Sequence, residues 1–402
     1  MNIAFFIARK YFFTKRKKNF INVISIVAIV GAALGTAALI IVLSVFNGLE
    51  DLLRSLYTSF DPEIKISASA GKSFKISADL FQKIKKVEGV SVLTEVIEDN
   101  ALVRYAEGQT IIRIKGVSLN YDKQSDIKKA LKDGSTRLKE KGINYAVIGF
   151  SLQRTLSISL DNEFYDLQIW YPRRQKPASG VDPSAAFNKG FIRPGGVFAI
   201  EQEYDEKYLI APLSFVEELM EYKDKRTSIE VKVKEGFSVE NVEKGLIRQL
   251  GPKYKIENRD EQHASLHKAI RVEKLFGFLT FSFILAIACL NIFFSLTMLG
   301  IEKKKDIVIL YSMGCSKSII RKIFLMEGSL ISFSGAGLGL VIGLVICLLQ
   351  KQYGFVSMGM QTSLVKGYPV ELRLMDFVLT AGSIILITFL VSFIPARTAS
   401  NL

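Results

Sequence analysis

The chain has 402 residues, 49% of them hydrophobic and 23% charged, with a mean hydropathy of +0.26. That is too apolar for an ordinary soluble protein and too charged for one lying wholly in a membrane, so spans and a water-soluble domain must share the chain. The net charge of +14 does not mark a nucleic-acid surface, because residues 51–270 hold 35 basic against 32 acidic residues and the excess sits beside the apolar runs.

Residues 1–20 carry six Lys/Arg and no acid, which predicts a cytoplasmic basic segment. Within it, 3–13, with Phe5, Phe6, Tyr11, Phe12 and Phe13, reads as a short helix lying in the inner membrane interface. Residues 21–47 lack any charge. This run outlasts the ~7–15 residues of a cleaved signal core, so it reads as an uncleaved first span. Arg9, Lys10, Lys15, Arg16, Lys17 and Lys18 precede it, which keeps the N-terminus inside. Small residues recur four apart at Gly31 and Gly35, and again at Gly335, Gly339 and Gly343. Such rows let helices approach closely, either within one chain or at a dimer seam.

Residues 48–272 are expected to form an α+β extracytoplasmic domain inserted between the first two spans, with a helical stalk at each end. Val45, Leu49, Leu52, Leu53 and Leu56 carry helical spacing past the membrane, and 261–274 forms the second stalk. Segments 63–69, 101–105, 110–117 and 228–234 alternate like half-buried strands. Segments 78–87, 214–222 and 239–250 have helical periodicity. Residues 171–194, with Pro172, Pro177, Pro183 and Pro194, read as a long loop. Gly71-Lys72-Ser73 ends like a phosphate-binding loop, but Ile66 occupies the position of its first glycine, so nucleotide binding is rejected. His263 and His267 share a helical face yet lack a zinc-protease Glu and a third ligand, and are expected to be solvated stalk residues with no metal. Cys289, Cys315 and Cys347 read as isolated small apolar side chains.

The remaining spans are 273–300, 327–350 and 377–396, around charge-free runs at 275–301, 328–350 and 377–396. They enclose a cytoplasmic segment, 301–326, and a short outer loop, 351–376, and leave a cytoplasmic tail, 397–402. No carboxylate falls inside the charge-free runs, which argues against proton-coupled transport and against catalysis by this chain. Segment 302–324 is a basic helix with Ile307, Leu310 and Tyr311 on one face, a break at Gly314, and a restart capped by Ser316 or Ser318. A turn needs only a few residues. A patterned helix–break–helix unit is suited to docking a partner.

The run from Glu302 through Asp306, Ile307 and Leu310 to Gly314, followed by Glu327-Gly328, resembles the signature of the FtsX-like permease family. Leu43-Ser44-Val45-Phe46-Asn47-Gly48-Leu49-Glu50 resembles the first-span exit of the lipoprotein-releasing (Lol) branch, LolC/LolE in type. Segments 208–219, 228–235 and 272–293, the last with Glu273, Lys274 and Asn291, are similar to the same permeases.

The resemblance implies a non-enzymatic permease subunit in the bacterial cell inner membrane, part of an ATP-binding-cassette transporter. It implies a separate cytoplasmic ATPase dimer that holds ATP and Mg, a second permease subunit, a lipoprotein substrate, membrane lipid and a periplasmic carrier, and no nucleic acid. Carried onto this sequence, Lys305, Asp306, Leu310, Met313 and Gly314 would couple to the ATPase. Val42, Phe46, Leu49, Phe276 and Leu279 would line an acyl cavity. The competing expectations are a cell-division regulator of peptidoglycan hydrolases from the same family, a MacB-type efflux permease, and a membrane sensor that transports nothing.

Overall fold

The computed structural model describes residues 3–13, 20–162, 164–173, 186–357 and 367–400. The chain divides into a helical unit, drawn from its two ends, and a β-rich unit spanning residues 53–265.

Helix α1 (Ile3–Phe13) is followed by α2 (Phe20–Phe60), which runs unbroken well past the charge-free segment. In the β-rich unit the order is β1 (Ile64–Ala68), β2 (Phe74–Lys75), α3 (Ala78–Lys85), β3 (Val90–Tyr105) and β4 (Gly108–Val117). Then come α4 (Tyr121–Gln124), β5 (Leu131–Gly134), β6 (Lys139–Glu140), β7 (Ile143–Gly149), α5 (Phe150–Leu156), β8 (Leu167–Pro172) and β9 (Phe187–Phe198). The unit closes with α6 (Gln202–Lys207), β10 (Tyr208–Pro212), α7 (Leu213–Leu219), β11 (Lys225–Arg226), β12 (Ser228–Val233), α8 (Val239–Leu250), β13 (Tyr254–Asn258) and α9 (Arg259–Gln262).

The expected strands at β1, β4 and β12 and the helices α3, α7 and α8 are all present, because each carries its own period. β1 buries Ile64 and Ile66 against α3 and α8, whose Leu80, Ile84, Val242 and Leu246 complete one core. Ser77 caps α3 by accepting from the Leu80 N–H at 3.2 Å. The main sheet runs β13-β1-β12-β3-β4-β10-β7-β9-β5. β8 pairs with both β3 and β9, so strands β3, β4, β10, β7, β9 and β8 close into a ring. A second core joins Ile112, Ile114, Ile148 and Ile169 of these strands to Val216 of α7.

The loop expected over 171–194 needs correcting. Tyr171 and Pro172 end β8, and 187–194 belong to β9; residues 174–185 lie outside the described ones. Proline removes a ladder donor, which is tolerated at strand ends and irregularities. Pro172 is the last residue of β8, and Pro194 sits where the β7–β9 register shifts.

The helical unit resumes with α10 (Ala264–Glu302), α11 (Lys304–Ser312), α12 (Lys317–Tyr353) and α13 (Leu374–Ala399). Together with α2, the helices α10, α12 and α13 are the four among the described residues that are long and apolar enough to cross a membrane. The glycine rows pack inside the chain. A β-carbon at Gly335 would lie 2.6 Å from the Ile29 carbonyl oxygen, and Gly339 and Gly343 abut Ala33 and Ala37 in the same way. Gly31 and Gly35 face Ala288 and Leu285 of α10. Ser25 and Ser295 hydrogen-bond at 2.7 Å, and Ser332 with Thr388, which satisfies hydroxyls that lipid could not.

Candidate functional site

The segment between α10 and α12 is the first candidate. Ile307 is buried and Tyr311 donates to the Ser400 carbonyl at 2.7 Å, so the face read from the sequence points into the bundle. Leu310 joins it, half-buried against Ala4, Ala8 and Ile323, and so places α1 against α12. Of the five residues expected to couple, Leu310 therefore faces inward. Asp306 pairs with Lys303 at 3.2 Å, and its side chain keeps 47% of its surface exposed.

Lys305, Met313 and Gly314 are exposed, Met313 at 77%. Val308 and Ile309 share their exposure, at 50% and 57%. Sequence reasoning missed these two, because an apolar residue on a short helix reads as core until its neighbours are known. Gly314 has φ +86°, a conformation that favours glycine, and it ends α11 where Cys315 N–H bonds back to the Leu310 carbonyl at 3.0 Å. Ser316 precedes α12 with an extended backbone and makes no side-chain cap bond. The result is an apolar and basic knuckle.

The second candidate lies where α2 and α10 approach one another. Val42 and Phe46 pack on Gly277: a β-carbon there would sit 2.9 Å from Phe46 Cε2 and 3.6 Å from Val42 Cγ1. Leu49, one turn on, is half-buried. Phe276 and Leu279 turn away, 64% and 52% exposed. They begin a stripe that Phe283, Ile287, Leu290 and Phe294 continue along α10 at three- and four-residue steps, all exposed. The five cavity residues thus fall into two sets, one packed between helices of this chain and one outward-facing.

Beside Phe46 stands a polar cluster that the charge-free windows skirted. Asn47 is buried and donates to the carboxylate of Asp376, itself 2% exposed. Lys274 donates to the Asn47 side-chain oxygen and lies 3.4 Å from the other Asp376 oxygen. Lys274 and Asp376 each fall one residue before a charge-free run, and Glu327, also buried, does too. Carboxylates therefore occur within the helices of the bundle, although none falls inside the charge-free runs. The helices extend beyond the runs that the hydropathy pattern outlines.

Comparison with known proteins adds the following. Residues 278–402 match the FtsX-like permease C-terminal family, and residues 25–165 match the MacB-like periplasmic core domain. The lipoprotein-releasing system transmembrane protein LolE of Haemophilus influenzae is 22% identical, over 100% of this chain and 98% of its own length. The corresponding LolC of Buchnera aphidicola subsp. Schizaphis graminum is 27% identical, over 87% of this chain and 85% of its own. The periplasmic region of MacB from Actinobacillus actinomycetemcomitans, 17% identical, covers 54% of this chain and 98% of its own at a TM-score of 0.36. The chain thus carries, from within its first span onward, a segment similar to the MacB-like periplasmic core domain and, at its C-terminal end, one similar to the FtsX-like permease family.

Proposed function

We propose that the chain is a permease subunit of an ATP-binding-cassette transporter that lifts lipoproteins from the outer leaflet of the bacterial inner membrane and passes them to a periplasmic carrier. A separate cytoplasmic ATPase dimer with its ATP and Mg drives it, and a second permease subunit completes the membrane part. The observation that carries this reading is the likeness to the lipoprotein-releasing relative over the full length of both chains, spans and periplasmic core alike.

Physical chemistry assigns the parts. Moving an acyl chain into water costs about 0.8 kcal/mol per CH₂, so extraction of a multiply acylated protein needs an external source of work. The chain has no phosphate-binding motif, so that work enters by docking. The knuckle formed by Lys305, Val308, Ile309, Met313 and Gly314 is the surface suited to it, on the side that the surrounding basic residues predict to be cytoplasmic. Val42, Phe46 and Leu49, with the exposed stripe that starts at Phe276 and Leu279, supply apolar walls for acyl chains once a second subunit faces them.

Met313→Asp and Gly314→Pro test the docking step. Proline fixes φ near −65°, far from the +86° at this position. Both variants are expected to insert normally while losing co-purification of the ATPase and ATP-driven lipoprotein release. Retention of the ATPase by both would refute the assignment.

A further inference from the structure

Helix α2 ends in a socket. Phe60, 2% exposed, has its ring centroid 4.7 Å from that of Tyr204 and 4.6 Å from that of Tyr208, with Lys115 Nζ 4.6 Å from its own ring. The next residue, Asp61, accepts the Tyr204 hydroxyl at 2.7 Å and meets His263 Nε2 at 2.7 Å. The His263 ring stacks on Tyr57 at 3.8 Å and 10°. Arg259 donates to the Asp61 backbone carbonyl at 3.0 Å. One carboxylate at the end of α2 thus holds α6 and the residue immediately before α10.

His263 is consequently not the solvated stalk residue that the sequence suggests. Its side chain is 23% exposed, and its partner lies 202 residues upstream. Burial by itself would push the Asp61 carboxyl up. Hydrogen bonds from His263 and Tyr204, with the charge of Lys115, hold it below the usual carboxylate range.

The surroundings suit movement better than fixed anchorage. Behind Asp61 lies a cavity of about 190 Å³, lined in part by Phe60, Lys115, Tyr208 and Glu230. Lys115 and Glu230 pair at 2.8 Å with side chains 2% and 1% exposed, and Glu230 Oε2 has no hydrogen-bond partner. An apolar plug would anchor a helix end at lower cost than buried charges do. A polar socket with free volume can exchange one hydrogen bond for another of similar energy as its members shift.

We infer that the Asp61–His263 pair is the joint through which movement of the two stalk helices reaches the sheet of the periplasmic domain, Asp61 acting as a positioning residue for release. This inference rests on the function proposed above.

The test uses the full chain assembled in nanodiscs with its ATPase and second permease, comparing Asp61→Ala, His263→Ala and the exchanged pair Asp61→His/His263→Asp. Hydrogen exchange over residues 53–63, 254–266 and 90–105 is followed with and without ATP. In the wild type ATP is expected to change all three segments. In either single variant the change at 90–105 disappears and release falls roughly tenfold, while ATPase rate and lipoprotein co-purification stay within about twofold. The exchanged pair restores both.

The inference is overturned if ATP leaves these segments unchanged in the wild type, if the single variants relay normally, or if ATPase, binding and release all fall together. A wild-type assembly that responds to ATP yet releases no lipoprotein removes the functional reading alone, and the exchange data still decide the joint. An assembly that takes no ATPase overturns both.

Discussion

Asp205 and Asp61 show how one corner of the periplasmic domain can carry two carboxylates of opposite habit. Asp205 is fully buried and accepts the Ile200 N–H at 2.9 Å, but its second oxygen has no partner. Burial pushes its carboxyl up to about 6, with the backbone donors of Ile200 and Glu201 opposing. A folded value above the unfolded ~3.9 means that its contribution is fully present below pH ~4 and is lost as pH rises through about 6. Asp61, held low, contributes above its unfolded value and loses that contribution as pH falls through its folded one.

Asp205→Asn, which keeps an acceptor for Ile200 and removes the charge, is therefore expected to stabilise this corner at pH 8 by about 1–2 kcal/mol and to change little at pH 4. Local opening measured by hydrogen exchange over residues 197–212 checks it. An equal gain at both pH values would mean that titration is not the cause.

At the scale of elements, the glycine row of α12 is the sharpest case. Its four-residue spacing was legible in the sequence, but its partner was not, because the spacing fits a contact within the chain or between chains. The packing of Gly335, Gly339 and Gly343 on Ile29, Ala33 and Ala37 settles it. Gly337, between them, faces nothing within 4 Å. Gly339→Leu is expected to lower the thermal midpoint of the purified chain by overpacking worth roughly 1–3 kcal/mol, and Gly337→Leu to leave it unchanged or slightly higher. Equal effects would show that the row does not set the helix contact.

The same limit explains what else was readable. Strands β1, β4 and β12 alternate locally and could be read from the sequence. β9 carries Pro194 and two adjacent glycines, Gly195 and Gly196, and could not, because its pairing with β7 and β8 compensates for poor local propensity. On α11 the apolar residues encircle the helix. The inward face, Ile307 with Leu310 and Tyr311, was found, while the outward Val308 and Ile309 needed the position of α1 and α12 to be recognised.

For the whole molecule, the charges at the ends of the apolar runs matter most. Read along the sequence, Lys274 and Asp376 mark where spans stop. In the fold they meet Asn47 and fasten three of the four spanning helices, α2, α10 and α13, at one level. Arg373 adds ion pairs to Glu50 and Asp51 at 3.0 and 2.8 Å, and the Glu371 N–H bonds the Ser44 carbonyl at 2.9 Å. The backbone at Pro369 and Val370 lies against Gly48 closely enough to exclude any β-carbon there.

Removing one member of a buried pair leaves the other uncompensated, at about 3–5 kcal/mol, whereas replacing both by apolar groups can be neutral. Lys274→Met is thus expected to destabilise the purified chain by about 3 kcal/mol in a denaturing-detergent titration, and Lys274→Met/Asp376→Leu to recover most of that loss. If the double variant fares no better than the single one, the cluster is not a pairwise clasp. If instead it recovers stability but releases lipoprotein poorly in the assembled transporter, the charges beside Phe46 serve the cargo and not the fold, since stability and release would then have been separated by the same two side chains.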